Sequence, residues 1–598
     1  MNSLVAGRHW KATRRRVCTA GAILALTLLS YFAFPGHTWL QADTQIYVPI
    51  LERLYDPAVL AKDPVAQRPH VAFTIYDEVT LALRRLTGLD LHATLTFQQL
   101  VFRAMGILGA YLLATALGLS GPMALLVAGT YSLGATVVGP AVLTIEYEPV
   151  PRGFAGPLVL LALGLAGRGR DLAAGAAATL AFLYHPPTAA AFWGLYFLLA
   201  LWPAPPAVMT RRIAGLAPLA VGVLLLFAAS RWQPGVSEPQ ILFSPLEAEL
   251  EQLQRWRAPY NWISLWDAAW IRQHVFLWLV ALGAFWRLRR LGAFSQSADL
   301  AGRGLRWPIF DLEFFLLGLP LVGLLCIPLS YVLLERMKWA LAAQLQPARN
   351  LLYMVALAGI LAAAAAVKAG ERRRWWEAWL WFLVVFAIPA HMRLLQFTSL
   401  ELVNPLSRRR VFLVAALAAS STLAVLLMRS GRRAAVAACT LAGLLPFFAI
   451  PSFGKVRNYP NLHARELDEL AAWARSSTPP EAVFLFPDAG RELFPGIFRG
   501  KALRALYVDW KSGGQVNFLR GFAAEWRTRW QLAMEGGFRS AKVEHYASLG
   551  VDYVVLRRPR NLPGRKPVYE NSRFVVYKLE HSAGRPSPPP RDGSAVPR

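Results

Sequence analysis

Four polar clusters in this 598-residue chain could do chemistry, and all sit where apolar stretches begin or end. Asp43, in WLQADTQIY, follows the first apolar run by a few residues. Glu146, Glu148 and Arg152, in TIEYEPVPRGF, share a loop too short to be a domain. Two carboxylates two residues apart beside an arginine can deprotonate a hydroxyl, hold a divalent metal ion or grip a phosphate. The plain alternative is a local ion pair that anchors the loop. His185, in FLYHPPTAA, stands where Pro186 and Pro187 break an apolar run, so an imidazole and unsatisfied backbone are exposed together. It reads either as a cavity residue or as a cap. Gln346 and Arg349, in QLQPARNLLYM, mark the entry of a further run; a guanidinium there suits bidentate phosphate contact, or it snorkels to headgroups. Asp56 and Asp63 read as surface acids.

The elements that must position these residues are membrane helices. The chain is 55% hydrophobic and 17% charged, against roughly a quarter charged in soluble proteins. Between about residues 17 and 450, apolar runs of roughly 18 to 20 residues alternate with short basic loops, a length that matches the bilayer hydrocarbon. The runs are continuous rather than alternating, so they read as helices and not barrel strands. Expected spans are 17–35, 95–118, 121–142, 153–167, 171–184, 187–203, 213–229, 273–286, 310–334, 350–368, 376–390, 411–428 and 434–450, about thirteen in all. The first is read as uncleaved, for no small-residue cleavage site follows it.

The net charge of +27 gathers in arginine clusters between spans, such as Arg14–Arg16, Arg211–Arg212 and Arg372–Arg374. That is the positive-inside pattern, and it accounts for the charge without a nucleic-acid partner. It places the N-terminus in the cytoplasm and, with an odd span count, the C-terminal domain outside. The cluster Arg408–Arg410 disagrees: either the count slips by one around 391–410, or the segment HMRLLQFTSLEL lies in the interface and carries those arginines near lipid headgroups. The long loops 36–92 and 231–273 then face outward, together with all four polar clusters. Cys18, Cys326 and Cys439 all lie in apolar runs, so no disulfide or metal spacing is present.

Past residue 450 the composition changes. Helical ARELDELAAWARSS precedes the strands EAVFLFP, ALYVD and VDYVVL, with amphipathic FLRGFAAEWRTRWQLAM between the last two and a terminal hairpin from PVYEN and RFVVYKLE. The expected organisation is a transmembrane domain over 1–450, an extracytoplasmic α/β domain over 451–580 and a Pro/Ser-rich disordered tail over 581–598. No P-loop, dinucleotide fingerprint, HExxH helix or GxSxG elbow is present.

This layout resembles the glycosyltransferase C superfamily, which includes protein mannosyltransferases and the catalytic subunit of oligosaccharyltransferase. The shared points are an acid soon after the first span (Asp43), a long first outer loop, acids in the second outer loop (Glu146, Glu148), about thirteen spans and an outer α/β domain. The resemblance implies a bacterial inner-membrane enzyme that moves a sugar from a polyprenyl-phosphate donor to an acceptor on the outer face. It implies base or metal-contact roles for the first-loop acid and phosphate-binding roles for basic residues, carried here onto Asp43 and Arg349; partners would be membrane lipid and lipid-linked sugar. The chain departs from the pattern in having a single first-loop Asp, not an adjacent acidic pair. It also lacks a WWD-type motif, the nearest string being VDWKSGG at Val508–Gly514. Two other readings stay open: a transporter or flippase of a lipid-linked substrate, and a non-catalytic scaffold in envelope assembly.

Overall fold

The computed structural model describes residues 2–32, 37–67, 74–229, 244–294, 306–388, 408–431, 435, 438, 442, 463–517 and 520–580. Six of its helices are long and apolar enough to cross a bilayer: Thr13–Phe32, Leu91–Ala116, Pro206–Ala228, Ala268–Arg290, Ile309–Arg336 and Ala340–Glu371. Five shorter apolar helices accompany them, at Pro151–Ala166, Asp171–Tyr184, Pro186–Leu201, Trp375–Ala387 and Val414–Arg429. The chain is a helical multi-pass membrane protein. The expected segment 434–450 lies outside the described residues apart from Ala435, Ala438 and Ala442.

Side-chain size decides which helix is central. The helix Leu351–Glu371 carries the run AAAAA and is buried almost throughout, because small side chains let several neighbours close on it at once. Pro206–Ala229 instead turns Val221, Leu224, Leu225 and Phe227 outward, as a lipid-facing helix does. The helices Leu91–Ala116 and Pro151–Ala166 approach so closely that a Cβ on Gly109 would lie 2.4 Å from the Leu161 nitrogen.

One expected span is corrected. Residues 121–142 are not a single helix: helix Gly121–Ser132 stops, and the chain forms an antiparallel hairpin of β1 (Thr136–Val137) and β2 (Val142–Leu143). Gly134 and Gly139 take φ of +67° and +89°, a region that glycine enters without strain, and Pro140 sits in the turn. This hairpin delivers the segment that carries Glu146 and Glu148.

The C-terminal sheet has the order β4-β3-β5-β7-β6. Strands β3 (Val483–Leu485), β4 (Ala505–Leu506) and β5 (Tyr553–Arg557) run parallel, and β6 (Tyr569–Glu570) and β7 (Phe574–Lys578) close one side as an antiparallel hairpin. Alternate residues face opposite sides. Phe484, Val555 and Val576 pack toward the helices Arg465–Ser477 and Phe494–Ala502, while Leu485, Val554 and Val575 pack toward Arg520–Ala533. Both faces are covered, so β3, β4, β5 and β7 are apolar apart from Arg557 and Lys578 at the ends of β5 and β7.

Candidate active site at the mouth of the bundle

Asp43 stands immediately before the helix Thr44–Tyr55. Its side chain makes no cap bond to that helix and is free to point elsewhere. The turn that presents it is shaped by Glu148. One Glu148 oxygen accepts from the Gln41 N–H (3.1 Å), the Ala42 N–H (2.7 Å) and the Thr44 hydroxyl (2.6 Å), and the other accepts from the Asp43 N–H (2.7 Å). Successive backbone N–H groups curled round an anion form a nest, and here the anion comes from a loop more than 100 residues away.

That second loop is itself hung from the helix Leu91–Ala116. Arg103 donates to the Glu146 carbonyl (2.9 Å) and Gln99 to the Tyr147 carbonyl (2.9 Å). Residues 144–150 form bends rather than a regular strand, in which two residues two apart would share a side. Glu148 turns into the Asp43 turn while Glu146 turns to Arg152, whose Nε lies 2.8 Å from it. Arg152 also contacts Asp43 through a terminal nitrogen. The second Asp43 oxygen lies 2.6 Å from the Lys511 Nζ. Burial pushes the Asp43 carboxyl up, but Lys511 and then Arg152 overcome this and hold it well below the usual carboxylate range. Burial pushes Glu148 up, and the Asp43 charge adds to that, against the hydrogen bonds from Thr44 and Ala42.

Lys511 belongs to the string VDWKSGG, which in the sequence stood out only as a poor match to a family motif. It is the missed member of the site. The fully buried Arg499 sets its position, donating to Asp509 (2.9 Å), two residues before Lys511, and to the Gln45 carbonyl (2.7 Å), two residues after Asp43. The helix Phe494–Ala502 can lie this close to the first loop because it carries glycines there; a Cβ on Gly500 would meet Leu40 at 2.8 Å. No periodicity in sequence announces a contact across 468 residues.

Arg349 completes the charge set. It interacts electrostatically with Arg152, Asp43 and Glu146, and its guanidinium lies 5.8 Å from the Tyr260 ring centroid. Its backbone N–H donates to the Gln346 carbonyl (2.9 Å), but its side chain makes no hydrogen bond or ion pair with the described residues, and its Nε is buried without a partner. Gln346, one turn earlier, lies on the same short stretch. His185 stands apart from the ion pairs. It caps the helix Pro186–Leu201, with its Nδ1 2.8 Å from the Thr188 hydroxyl, and the Thr188 carbonyl accepts from Tyr353 (2.6 Å), a turn beyond Arg349. Asp63, read as a surface acid, is in fact buried: it accepts from Val65, Ala66 and Leu506 and lies 3.8 Å from Arg499. That expectation failed because the loop folds back under the C-terminal domain.

The donor set fits a divalent metal ion poorly. Asp43 and Glu146 are each engaged by a cation, Glu148 by four loop donors, and the described residues contain no group of three or more metal-ligating side chains. The arrangement suits an incoming anion instead.

Residues 465–533 match a family model described as Domain of unknown function (DUF6798). No curated protein matches the chain. Solved structures similar to it include ArnT from Cupriavidus metallidurans bound to undecaprenyl phosphate, at 13% identity and TM-score 0.45 over 96% of this chain and 100% of that one. The same protein in the apo state is 14% identical, with TM-score 0.42 and the same coverage. The arabinofuranosyltransferase AftD from Mycobacteria is 14% identical, with TM-score 0.41 over 94% of this chain and 40% of that one.

Proposed function

We propose that this chain is a membrane glycosyltransferase that moves a sugar from a polyprenyl-phosphate donor to an acceptor hydroxyl on the outer face of a bacterial cytoplasmic membrane. The carrying observation is one carboxylate, Asp43, bracketed by Arg152 and Lys511, with a third cation, Arg349, that has no carboxylate of its own. A base beside an unfilled anion site is what transfer from a phosphate requires.

The acceptor oxygen attacks the anomeric carbon, the bond from that carbon to the phosphate oxygen breaks, and the polyprenyl phosphate leaves with the bonding pair. Arg349 and Lys511 stabilise the charge that grows on the phosphate. Asp43 takes the acceptor proton. As it stands Asp43 is too acidic for efficient proton transfer, since a general base works best with a pKa near the operating pH. Donor binding corrects this: the phosphate draws Lys511 toward itself, which weakens its hold on Asp43 and raises the basicity of that carboxylate. Glu146 keeps Arg152 in place during the exchange, and Glu148 holds the turn. His185 supports the Arg349 stretch from the neighbouring helix. In this reading the long loops and the C-terminal domain lie on the extracytoplasmic side of the membrane and the N-terminus in the cytoplasm.

The test is direct. Purified full-length protein in lipid nanodiscs is given a panel of undecaprenyl- and decaprenyl-phosphate sugars, and binding and sugar release are measured. Binding with turnover to an acceptor or to water is expected. Absence of both across the panel contradicts the proposal.

A further inference from the structure

A small cleft opens beside the ion cluster, lined by Pro140, Tyr260, Asn261, Ser330, Gln346 and Arg349 among others. It joins four parts of the chain: the hairpin turn, the second long loop, the end of the helix Arg306–Ser330 and the stretch that leads into the central helix. Its polar groups are unsatisfied to an unusual degree. Gln346 is 5% exposed and Asn261 7%, yet both amide atoms of Gln346, the Asn261 Nδ2 and the Arg349 Nε have no hydrogen-bond partner. Buried polar atoms are nearly always paired, so such a group asks for a ligand or ordered water.

The backbone adds an independent sign. Gln346 takes φ 45° and ψ 60°, a left-handed conformation that non-glycine residues adopt when the surroundings impose it. Pro347 disfavours the right-handed helical alternative at the preceding residue. The turn holds the amide in the cleft wall and away from solvent.

The kind of orphaned atom selects the ligand. Whichever way the Gln346 amide is turned, it presents an NH2 donor group and a carbonyl acceptor, and both are unpaired. A phosphate ionised at neutral pH offers only acceptors, so it would leave the carbonyl unsatisfied. A hydroxyl group accepts and donates and satisfies both. The Arg349 Nε and Asn261 Nδ2 supply further donors toward hydroxyl oxygens, and the Tyr260 ring offers a flat apolar surface. The cleft has room for about one water-sized group, so we propose that it admits a hydroxyl of the transferred sugar, read by Gln346 and Asn261, while the sugar ring lies outside it and the phosphate lies between Arg349 and Lys511. The inference rests on the glycosyltransferase reading and gives it a specificity determinant in Asn261, a second-loop residue that carries no charge and no motif.

The experiment compares two ligands on full-length protein in phosphatidylcholine nanodiscs: bare undecaprenyl phosphate, and undecaprenyl phosphate carrying one hexose or pentose. The variants are Asn261→Ala and Gln346→Asn; the latter keeps a residue at home in the left-handed region but shortens the amide's reach. Each is expected to weaken the glycosylated lipid by about tenfold and to leave the bare lipid within about twofold. Equal weakening of both lipids would show that the cleft reads the phosphate. No change for either lipid would show that it holds only water. A further arm adds phosphatidylglycerol: if this lipid displaces the glycosylated ligand from the parent but not from the variants, the hydroxyls belong to a headgroup and the sugar assignment fails. A parent chain that binds neither lipid overturns the glycosyltransferase reading, and this inference with it.

Discussion

Two clusters of arginine and carboxylate stand at opposite ends of the same bundle. In one, Arg212 lies 2.6 Å from Asp311 and donates to the Leu199 (2.8 Å) and Trp202 (3.0 Å) carbonyls, while Arg211 lies 2.9 Å from Asp311 and 2.5 Å from Asp171. Asp171 opens a helix whose far end, at Leu183, receives the Ile75 N–H of the first long loop. Two acids there face two arginines, all from membrane helices, and the charge is closed. At the mouth, Asp43 and Glu146 meet Arg152 and Lys511, Glu148 is taken up by four loop donors, and Arg349 stands outside any ion pair. Those groups come from two loops, the start of the central helix and the C-terminal domain. A closed cluster locks helices together. An open one, with a buried cation outside any ion pair, suits an incoming anion. The difference lies in the count of partners and not in residue type.

The largest effect that would sharpen this contrast is on rate. Asp43→Asn keeps the shape and removes the base, so turnover of a polyprenyl-phosphate sugar should fall by about a hundred- to ten-thousand-fold while the protein still accumulates in membranes. Asp311→Asn should do the reverse. Removing one partner of a buried ion pair costs about 3–5 kcal/mol, so its melting temperature should drop sharply while the turnover of the surviving folded fraction stays near the parent's. A rate loss in Asp311→Asn without loss of stability would erase the contrast.

Lys511→Ala should have a smaller effect, about tenfold to a hundredfold on the chemical step, since it removes one charge-assisted contact and leaves Arg152 and Arg349. The same variant measures whether the C-terminal domain belongs to the site. Kinetics indistinguishable from the parent's would make that domain an accessory.

The smallest effect is on acid stability, where the two loop carboxylates have opposite signs. Asp43 is held below its unfolded value of about 3.9, so its contribution is complete above that pH and is lost as pH falls through the folded value. Glu148 is raised above its unfolded value of about 4.3, so protonation favours the folded state as pH falls through the folded value. Between about pH 5 and 3, melting temperature should fall less steeply in Asp43→Asn than in the parent, and more steeply in Glu148→Gln. Parallel slopes would show that neither group is linked to folding in this way.

The sequence carried the helices well, because a bilayer imposes a length and a composition that any long apolar run reveals. It misread 121–142, where the residues stay apolar through the hairpin and only Gly134 and Gly139 mark the turn. Asp43, Glu146, Arg152 and Arg349 could be picked out because charge beside a span is costly. Their division of labour could not: Glu146 and Glu148 look alike in the sequence, and only the direction of each side chain separates the partner of Arg152 from the anchor of the Asp43 turn. Lys511 and Arg499 were hidden for another reason. Lysine and arginine in a soluble-looking segment are unremarkable until the fold carries them back 468 and 454 residues to the first loop.

The central claim is that the mouth of the bundle is an open anion site and the other end is not. Undecaprenyl phosphate binding to the parent, to Arg349→Ala and to Arg211→Ala, in nanodiscs at fixed salt, tests it most directly. Arg349→Ala should bind about tenfold to a hundredfold more weakly than the parent, and folded Arg211→Ala should bind as the parent does. Unchanged affinity in Arg349→Ala, or an equal loss in both variants, would contradict the account.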